Sequence, residues 1–273
     1  MKRIINYPPS RGQRLFLGVL PFLLILLAYV LASEARLSVN PTDKLMPALS
    51  SFVSAMNRMM FEQDRASGAL LFWFDTYLSL WRLFVGLGIS ALLGLVLGAP
   101  IGFIPQLRAA FDPVLAAISL VPPLAMLPIL FILFGLGEVS KIVLIVFGVA
   151  PFLMRDVVLR VEALPREQII KAQTLGGSSW HMLIHIVLPQ ILPGLINAVR
   201  LSLGATWLFV IAAEAITAEG GLGYRIFLVR RYLAMDVIFP YVLWITLLAV
   251  GTDYILNRLR IGIFPWSELE KNT

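Results

Sequence analysis

Lys171-Ala172-Gln173-Thr174-Leu175-Gly176, continued after nine residues by Ile186-Val187-Leu188-Pro189, lies in a polar gap between two strongly apolar segments. The residues leading into it, Glu162-Ala163-Leu164-Pro165-Arg166-Glu167-Gln168, read as the start of a short helix. Pro165 suits a first turn, where no N–H is needed, and Glu167 sits near the positive end of the helix dipole. Gly176 and Gly177 break the helix, and Pro189 marks entry into the next apolar run. A helix this short cannot cross a hydrocarbon core of roughly 30 Å, so the gap lies on a membrane surface and reads as a docking surface.

Composition extends that reading to the whole chain. Of 273 residues 59% are hydrophobic and only 14% charged, the balance of a membrane protein. With no cysteine and two histidines, disulfides, thiol redox chemistry and His-rich metal ligation have no residues to use. The net charge of +6 is spread along the flanks of apolar segments and forms no stripe for nucleic acid.

Apolar windows predict an all-α protein with six spanning helices near 15–32, 77–104, 113–136, 139–158, 186–216 and 236–257. The first apolar stretch, Leu15–Ala32, is longer than a signal-peptide core and lacks a small-x-small cleavage site, so it reads as an uncleaved anchor. The chain then divides into a tail (1–14), the first span (15–32), a segment with an amphipathic helix (33–76), a core (77–260) with the docking helix near 162–182, and a tail (261–273). An even number of spans places both termini on one side. Lys2, Arg3, Arg11, Arg14, Arg108, Arg155, Arg160, Arg166, Lys171, Arg258, Arg260 and Lys271 make that side cytoplasmic. Arg225, Arg230 and Arg231 fall in the outer connection between the last two spans and read as an interfacial helix face or a contact surface.

Within this frame some residues have sharper meanings. Leu45, Leu49, Phe52, Val53, Met56 and Met60 recur at helical spacing within Pro41–Gly68, with Asp43, Arg58, Glu62 and Asp64 on other faces, which predicts a surface-lying helix. Gly86, Ser90, Gly94, Gly98 and Gly102 form a ridge of small residues against which another helix can pack closely. Pro122, Pro123 and Pro128 interrupt the third span, and broken backbone survives in a membrane only under protein or water. Arg200, Trp207 and Glu214 are seven residues apart in turn and share one face of the fifth span, with Arg200 roughly 16 Å deep. Either Arg200 ties to carbonyls of the broken third span, or it helps an anion pass while Trp207 narrows the path. Arg82 reads as a snorkelling side chain, and Arg155 with Asp156 as interfacial.

Gly176, nine residues, then Ile186-x-Leu188-Pro189 resembles the EAA loop of permease subunits from binding-protein-dependent type I ABC importers. The motif's acidic residue falls on Ile170 and its first alanine on Lys171, while Ala172 matches the second. Pro122-Pro123-Leu124-Ala125-Met126-Leu127-Pro128, Phe134-Gly135-Leu136-Gly137-Glu138, Arg200-x-x-Leu203-Gly204-x-x-Trp207, Ala212-Ala213-Glu214 and Gly220-Gly221-Leu222-Gly223 resemble the sulfonate, taurine, nitrate and bicarbonate branch. The resemblance implies the six-helix importer permease fold in a bacterial inner membrane and a coupling role for Ala172, Leu175, Gly176, Gly177, Ile186, Leu188 and Pro189. It also implies two ATPase subunits, a second copy of this chain, and a periplasmic or lipid-anchored substrate-binding protein. The chain would bind no cofactor, with ATP and Mg on the partner ATPase, and no G-x-x-x-x-G-K-[ST] loop occurs in it. The path would pass Arg200, Trp207, Glu214, Pro122 and Pro123. A non-anionic nutrient on the same architecture, and a stand-alone secondary carrier, are the alternatives.

Overall fold

The structure, a computed structural model, describes residues 10–41, 43–63, 68, 70–217 and 219–267. Lys2, Arg3, Asp64, Lys271 and the Arg11 side chain, read above as topology or surface charges, lie outside them. Among the described residues there is helix and no strand. In chain order the helices are α1 (Arg11–Val39), α2 (Leu49–Phe61), α3 (Leu71–Phe103), α4 (Pro105–Ser119), a 3₁₀ turn (Pro123–Met126) and α5 (Leu127–Phe134). They continue with α6 (Glu138–Glu162), α7 (Arg166–Thr174), α8 (Ser179–Met182), a π turn (Leu183–Val187), α9 (Leu188–Thr217), α10 (Leu222–Arg230) and α11 (Met235–Ile263). Five of the helical runs are long and apolar enough to cross a membrane, and α4 with the segment Pro123–Phe134 supplies a sixth, bent by 83°.

The chain divides into two compact units, Met1–Glu62 with Val229–Pro240, and Gln63–Leu228 with Tyr241–Thr273. In the first, the capping box of Ser10 and Gln13 starts α1. Tyr29 packs tilted against Phe52 and edge-on against Phe239 at centroid distances of 5.8 and 6.0 Å, and its hydroxyl donates to the Pro47 carbonyl at 2.7 Å. The Leu45 amide and the Arg36 guanidinium hold the Asp43 carboxyl below the usual carboxylate range. The amphipathic helix is shorter than the pattern in Pro41–Gly68 implied, because Pro47 precedes it and Glu62 ends it in extended backbone. Leu45 consequently lies outside α2.

In the second unit α3 packs against α6 along the small ridge. A Cβ built on Gly86 would stand 2.6 Å from Ile145 Cγ2, one on Gly98 3.0 Å from the Met154 carbonyl oxygen, and one on Gly102 2.9 Å from Val161 Cβ. Lipid offers helices no hydrophobic drive to associate, so such backbone approach supplies the attraction through van der Waals contact. Gly86→Ala should therefore lower thermal stability in detergent by about 1–3 kcal/mol, whereas Gly88→Ala on the open face, where nothing lies within 4 Å, should not. Equal melting temperatures for the two variants would remove the ridge as a packing device.

Several boundaries differ from the sequence reading, two of them with a clear physical cause. The third span begins at Pro105 rather than near 113, and its break spans Leu120–Pro122. Pro128 opens α5, where its missing N–H costs nothing, rather than interrupting a helix. The fifth span begins at Ser179, capped by the Ser178 hydroxyl, so Leu188 and Pro189 lie inside a continuous helical run. Just upstream of Pro189, which cannot donate, the ladder widens to a π turn in which the Leu188 amide reaches Leu183 O.

Candidate functional site

The polar gap folds as an exposed shelf at the end of the second unit where α6 stops. Glu162 belongs to α6, and Pro165 is the cap residue before α7, so the short helix starts at Arg166 and not at Glu162. It ends in a Schellman motif: Gly177 N–H donates to Ala172 O at 2.9 Å and Gly176 N–H to Gln173 O at 3.0 Å. Gly176 sits at φ +79°, the left-handed conformation a Cβ disfavours, although a Cβ there would touch nothing. At Gly177 a Cβ would meet Ala172 O at 2.9 Å. The glycine pair therefore shapes the turn itself. Leu175 at the cap of α7 is 87% exposed and Trp180 of α8 68%, with Ile170 of α7 also exposed, three large apolar side chains on an otherwise polar segment. Ala172, Ile186, Leu188 and Pro189 are half-buried and support the shelf instead of forming its surface. Gln190 Nε2 donates to Gln168 Oε1 at 2.9 Å, joining α9 to α7.

At the opposite end, where α3 and α6 begin and α9 finishes, lies a charge network that is buried except at Glu138, which stays exposed. Arg82 is 2% exposed, so it does not snorkel. Its Nε and Nη2 grip both oxygens of Glu138 at 2.6 and 2.7 Å, and Nη1 reaches Glu214 Oε1 at 2.7 Å and the Gly220 carbonyl at 2.9 Å. Glu214, fully buried, also accepts from the Ser79 hydroxyl and the Gly223 amide, both at 2.8 Å. Asp75 accepts from the Gly221 amide and from Arg225 Nε, each at 2.8 Å, and Lys141 donates to Glu138 at 2.8 Å. Three acids thus meet three bases. A Cβ on Gly221 would fall 2.5 Å from the Glu214 carboxyl carbon, and one on Gly223 2.8 Å from Ile211 O, which explains the glycines of Gly220-Gly221-Leu222-Gly223. Arg225 is accordingly an ion-pair partner and not an interfacial side chain. Burial disfavours its charge, but the hydrogen bond and attraction of Asp75 outweigh this and leave its pKa above the ordinary arginine value.

The face of Arg200, Trp207 and Glu214 is an interior face for most of its length. Trp207 is 4% exposed, with its Nε1 buried and without a hydrogen-bond partner among the described residues, and Glu214 belongs to the network above. Neither borders open space in this conformation, because α9 turns that face toward the other helices of the unit. Arg200 is half-buried, and its partners are not carbonyls of the third span. Nε and Nη2 bind both oxygens of Asp253 on α11 at 2.8 and 2.9 Å, and Nη1 reaches Asn257 at 2.6 Å. Pro122 and Pro123 lie at the break, and Pro123 lines a cavity of about 380 Å³ between it and α6.

This architecture, five apolar helices and a bent sixth with a capped, exposed helix between the fourth and fifth, is that of a multi-pass membrane protein, and the family match makes it a transport permease. Residues 90–260 match the family described as "Binding-protein-dependent transport system inner membrane component", and the chain belongs to that family. The taurine transport system permease protein TauC of Escherichia coli (strain K12) is 33% identical over 194 residues, 71% of this chain and 70% of TauC. The nitrate import permease protein NrtB of Synechococcus elongatus is 30% identical over 150 residues, 55% of this chain and 53% of NrtB. A chain of the crystal structure of a bacterial ABC transporter involved in the import of the acidic polysaccharide alginate superimposes with a TM-score of 0.62 at 14% identity. That match covers 93% of this chain and 96% of the alginate importer chain, and the shared fold is that of type I ABC importer permeases. Permeases of this family work with an ATPase and a substrate-binding protein.

Proposed function

We propose that this chain forms the translocation path of an ATP-driven importer for a small solute carrying an oxyanion group, such as a sulfonate, nitrate or bicarbonate. The observation that carries the reading is the exposed shelf, where α7 ends in a capped glycine turn that leaves Leu175 of the cap and Trp180 of α8 outward for a partner. The names of the similar proteins, a taurine and a nitrate permease, support the solute class.

In this reading two copies of the chain pair around the path, and each α7 seats in one of two ATPase subunits. ATP and Mg²⁺ bind there, and this chain holds no cofactor and hydrolyses nothing. Because α7 is continuous in hydrogen bonding with α9 through Gln168 and Gln190 and is joined to α6 by a turn of three residues, a rigid displacement of the shelf moves both helices. The path then opens alternately to either side, and the substrate-binding protein, periplasmic or lipid-anchored, delivers solute at the end holding the Arg82 network. The shelf and both termini face the cytoplasm of a bacterial inner membrane, and the apolar surface of α1 meets lipid.

The chain purified alone should show no ATPase activity. In proteoliposomes holding its ATPase and binding protein, uptake of labelled taurine, nitrate or bicarbonate should require ATP and stop when Mg²⁺ is chelated. Uptake by the chain alone, driven by an ion gradient, would make it a secondary carrier and overturn the reading. Since the chain has no cysteine, thiols introduced by Arg166→Cys and Asn57→Cys report orientation directly, and labelling of position 166 from outside the cell would reverse it.

A further inference from the structure

Among the described residues the cations of the spanning helices are matched with one exception. Arg82, Lys141, Arg160 and Arg200 each hold a carboxylate, and Arg258 binds the Tyr254 hydroxyl. Among the described residues Arg155 of α6 alone in these helices has neither an ion pair nor a hydrogen bond. Its neighbour Asp156 is no substitute partner, because both of its oxygens bind Arg160.

Arg155 points into open space of a particular kind. It lines the cavity of about 380 Å³ that Ser119, Val121 and Pro123 of the broken third span form with Gly148 and Phe152 of α6. It also borders a second cavity of about 230 Å³, whose charged groups Arg108, Asp112 and Glu162 are bound to one another. The two cavities share Arg155 and Leu159, so both open beside Arg155 in the groove between α4 and α6, one toward the α7 end and one at the break. Arg155 stands seven residues before the end of α6, about 10 Å along the axis. Irregular backbone such as Leu120–Pro122 is stable within a membrane only beneath water or protein, and Val121 of that break lines the same cavity as the exposed Arg155.

We propose that Arg155 contacts the oxyanion group of the solute as it passes along the α4–α6 groove. The assignment rests on the solute class inferred above. The planar guanidinium can donate to two oxygens of a sulfonate, nitrate or bicarbonate at once, and no carboxylate competes for it. A single unshared cation suits passage, since a second would hold the anion and slow its release, and the other charged groups of the groove, Arg108, Asp112 and Glu162, are bound to one another. Arg200, with both fork nitrogens on Asp253, is a positioning residue between α9 and α11 by comparison.

The test uses the complete importer in proteoliposomes, with initial uptake of taurine, nitrate and bicarbonate measured against concentration. Arg155→Gln should lower the maximal rate by about tenfold while leaving the half-saturating concentration, set by the binding protein, unchanged, and Arg155→Lys should be intermediate. The thiol introduced by Arg155→Cys should regain rate after reaction with an aminoethyl methanethiosulfonate and not with a sulfonatoethyl one. Equal rescue by both reagents, or wild-type uptake by Arg155→Gln, overturns the assignment and leaves Arg155 a snorkelling side chain. A loss of uptake that tracks a lowered melting temperature in Arg155→Gln and in Arg155→Lys overturns it as well. A wild-type importer that carries none of the three anions overturns instead the solute class, and with it the anion role of Arg155.

Discussion

Arg82→Met is expected to abolish most of the folded, monodisperse protein obtained in detergent. The substitution keeps length and packing but removes the cation from Glu214, which is fully buried, and from both oxygens of Glu138. It also strips the donor from the Gly220 carbonyl. Breaking a buried pair by removing one partner costs about 3–5 kcal/mol, because the other charge stays behind without compensation. The double variant Arg82→Met with Glu214→Gln should be more stable than the sum of the two single losses predicts, by about 1 kcal/mol or more, since no bare charge is left between α3 and α9. A snorkelling arginine would behave otherwise, with Arg82→Met within about 0.5 kcal/mol of wild type and no coupling to position 214. Thermal unfolding followed by gel filtration separates the two outcomes.

The reach of the sequence follows from the range of the interactions involved. Spans are recorded locally, in runs of apolar residues long enough for the bilayer, and the ridge from Gly86 to Gly102 is recorded in a four-residue period on one helix. The αL turn at Gly176 is local too, and its glycines stand in the sequence where the helix ends. The Arg82 network is different. Arg82 and Glu214 lie 132 positions apart, and their meeting depends on α3 beginning where α9 ends. One signal was available: Asp75, Ser79 and Arg82 fall at spacings of four and three, a polar stripe on one face of an apolar helix, which must turn inward. The heptad relation of Arg200, Trp207 and Glu214 correctly placed three side chains on one face, but periodicity does not state which helix covers that face. It therefore could not separate Arg200, bound to Asp253, from Arg155, which lacks a partner among the described residues. The π turn before Pro189 was also hidden, since proline announces a missing donor and not how the backbone absorbs it.

The second large effect is expected at the shelf. Leu175→Asp should leave insertion, folding and melting temperature unchanged, because the side chain is almost wholly exposed and makes no contact within the chain that folding relies on. Coupled uptake should fall by roughly thirtyfold or more, the loss expected when an apolar anchor worth about 2 kcal/mol is replaced by a charge that must be desolvated in the partner's groove. Trp180→Ala should act in the same direction. Gly176→Asn separates docking from turn geometry: asparagine tolerates the left-handed conformation and a Cβ there meets nothing, so coupling should persist. Gly176→Val, with a branched side chain forced to φ +79°, should unwind the Schellman turn and uncouple transport even though Leu175 and Trp180 are intact. Co-purification of the ATPase with each variant, read beside ATP-dependent uptake, distinguishes the effects. An importer that assembles and transports normally with Leu175→Asp would remove this apolar cluster from the docking surface, whatever the fate of the Gly176 variants.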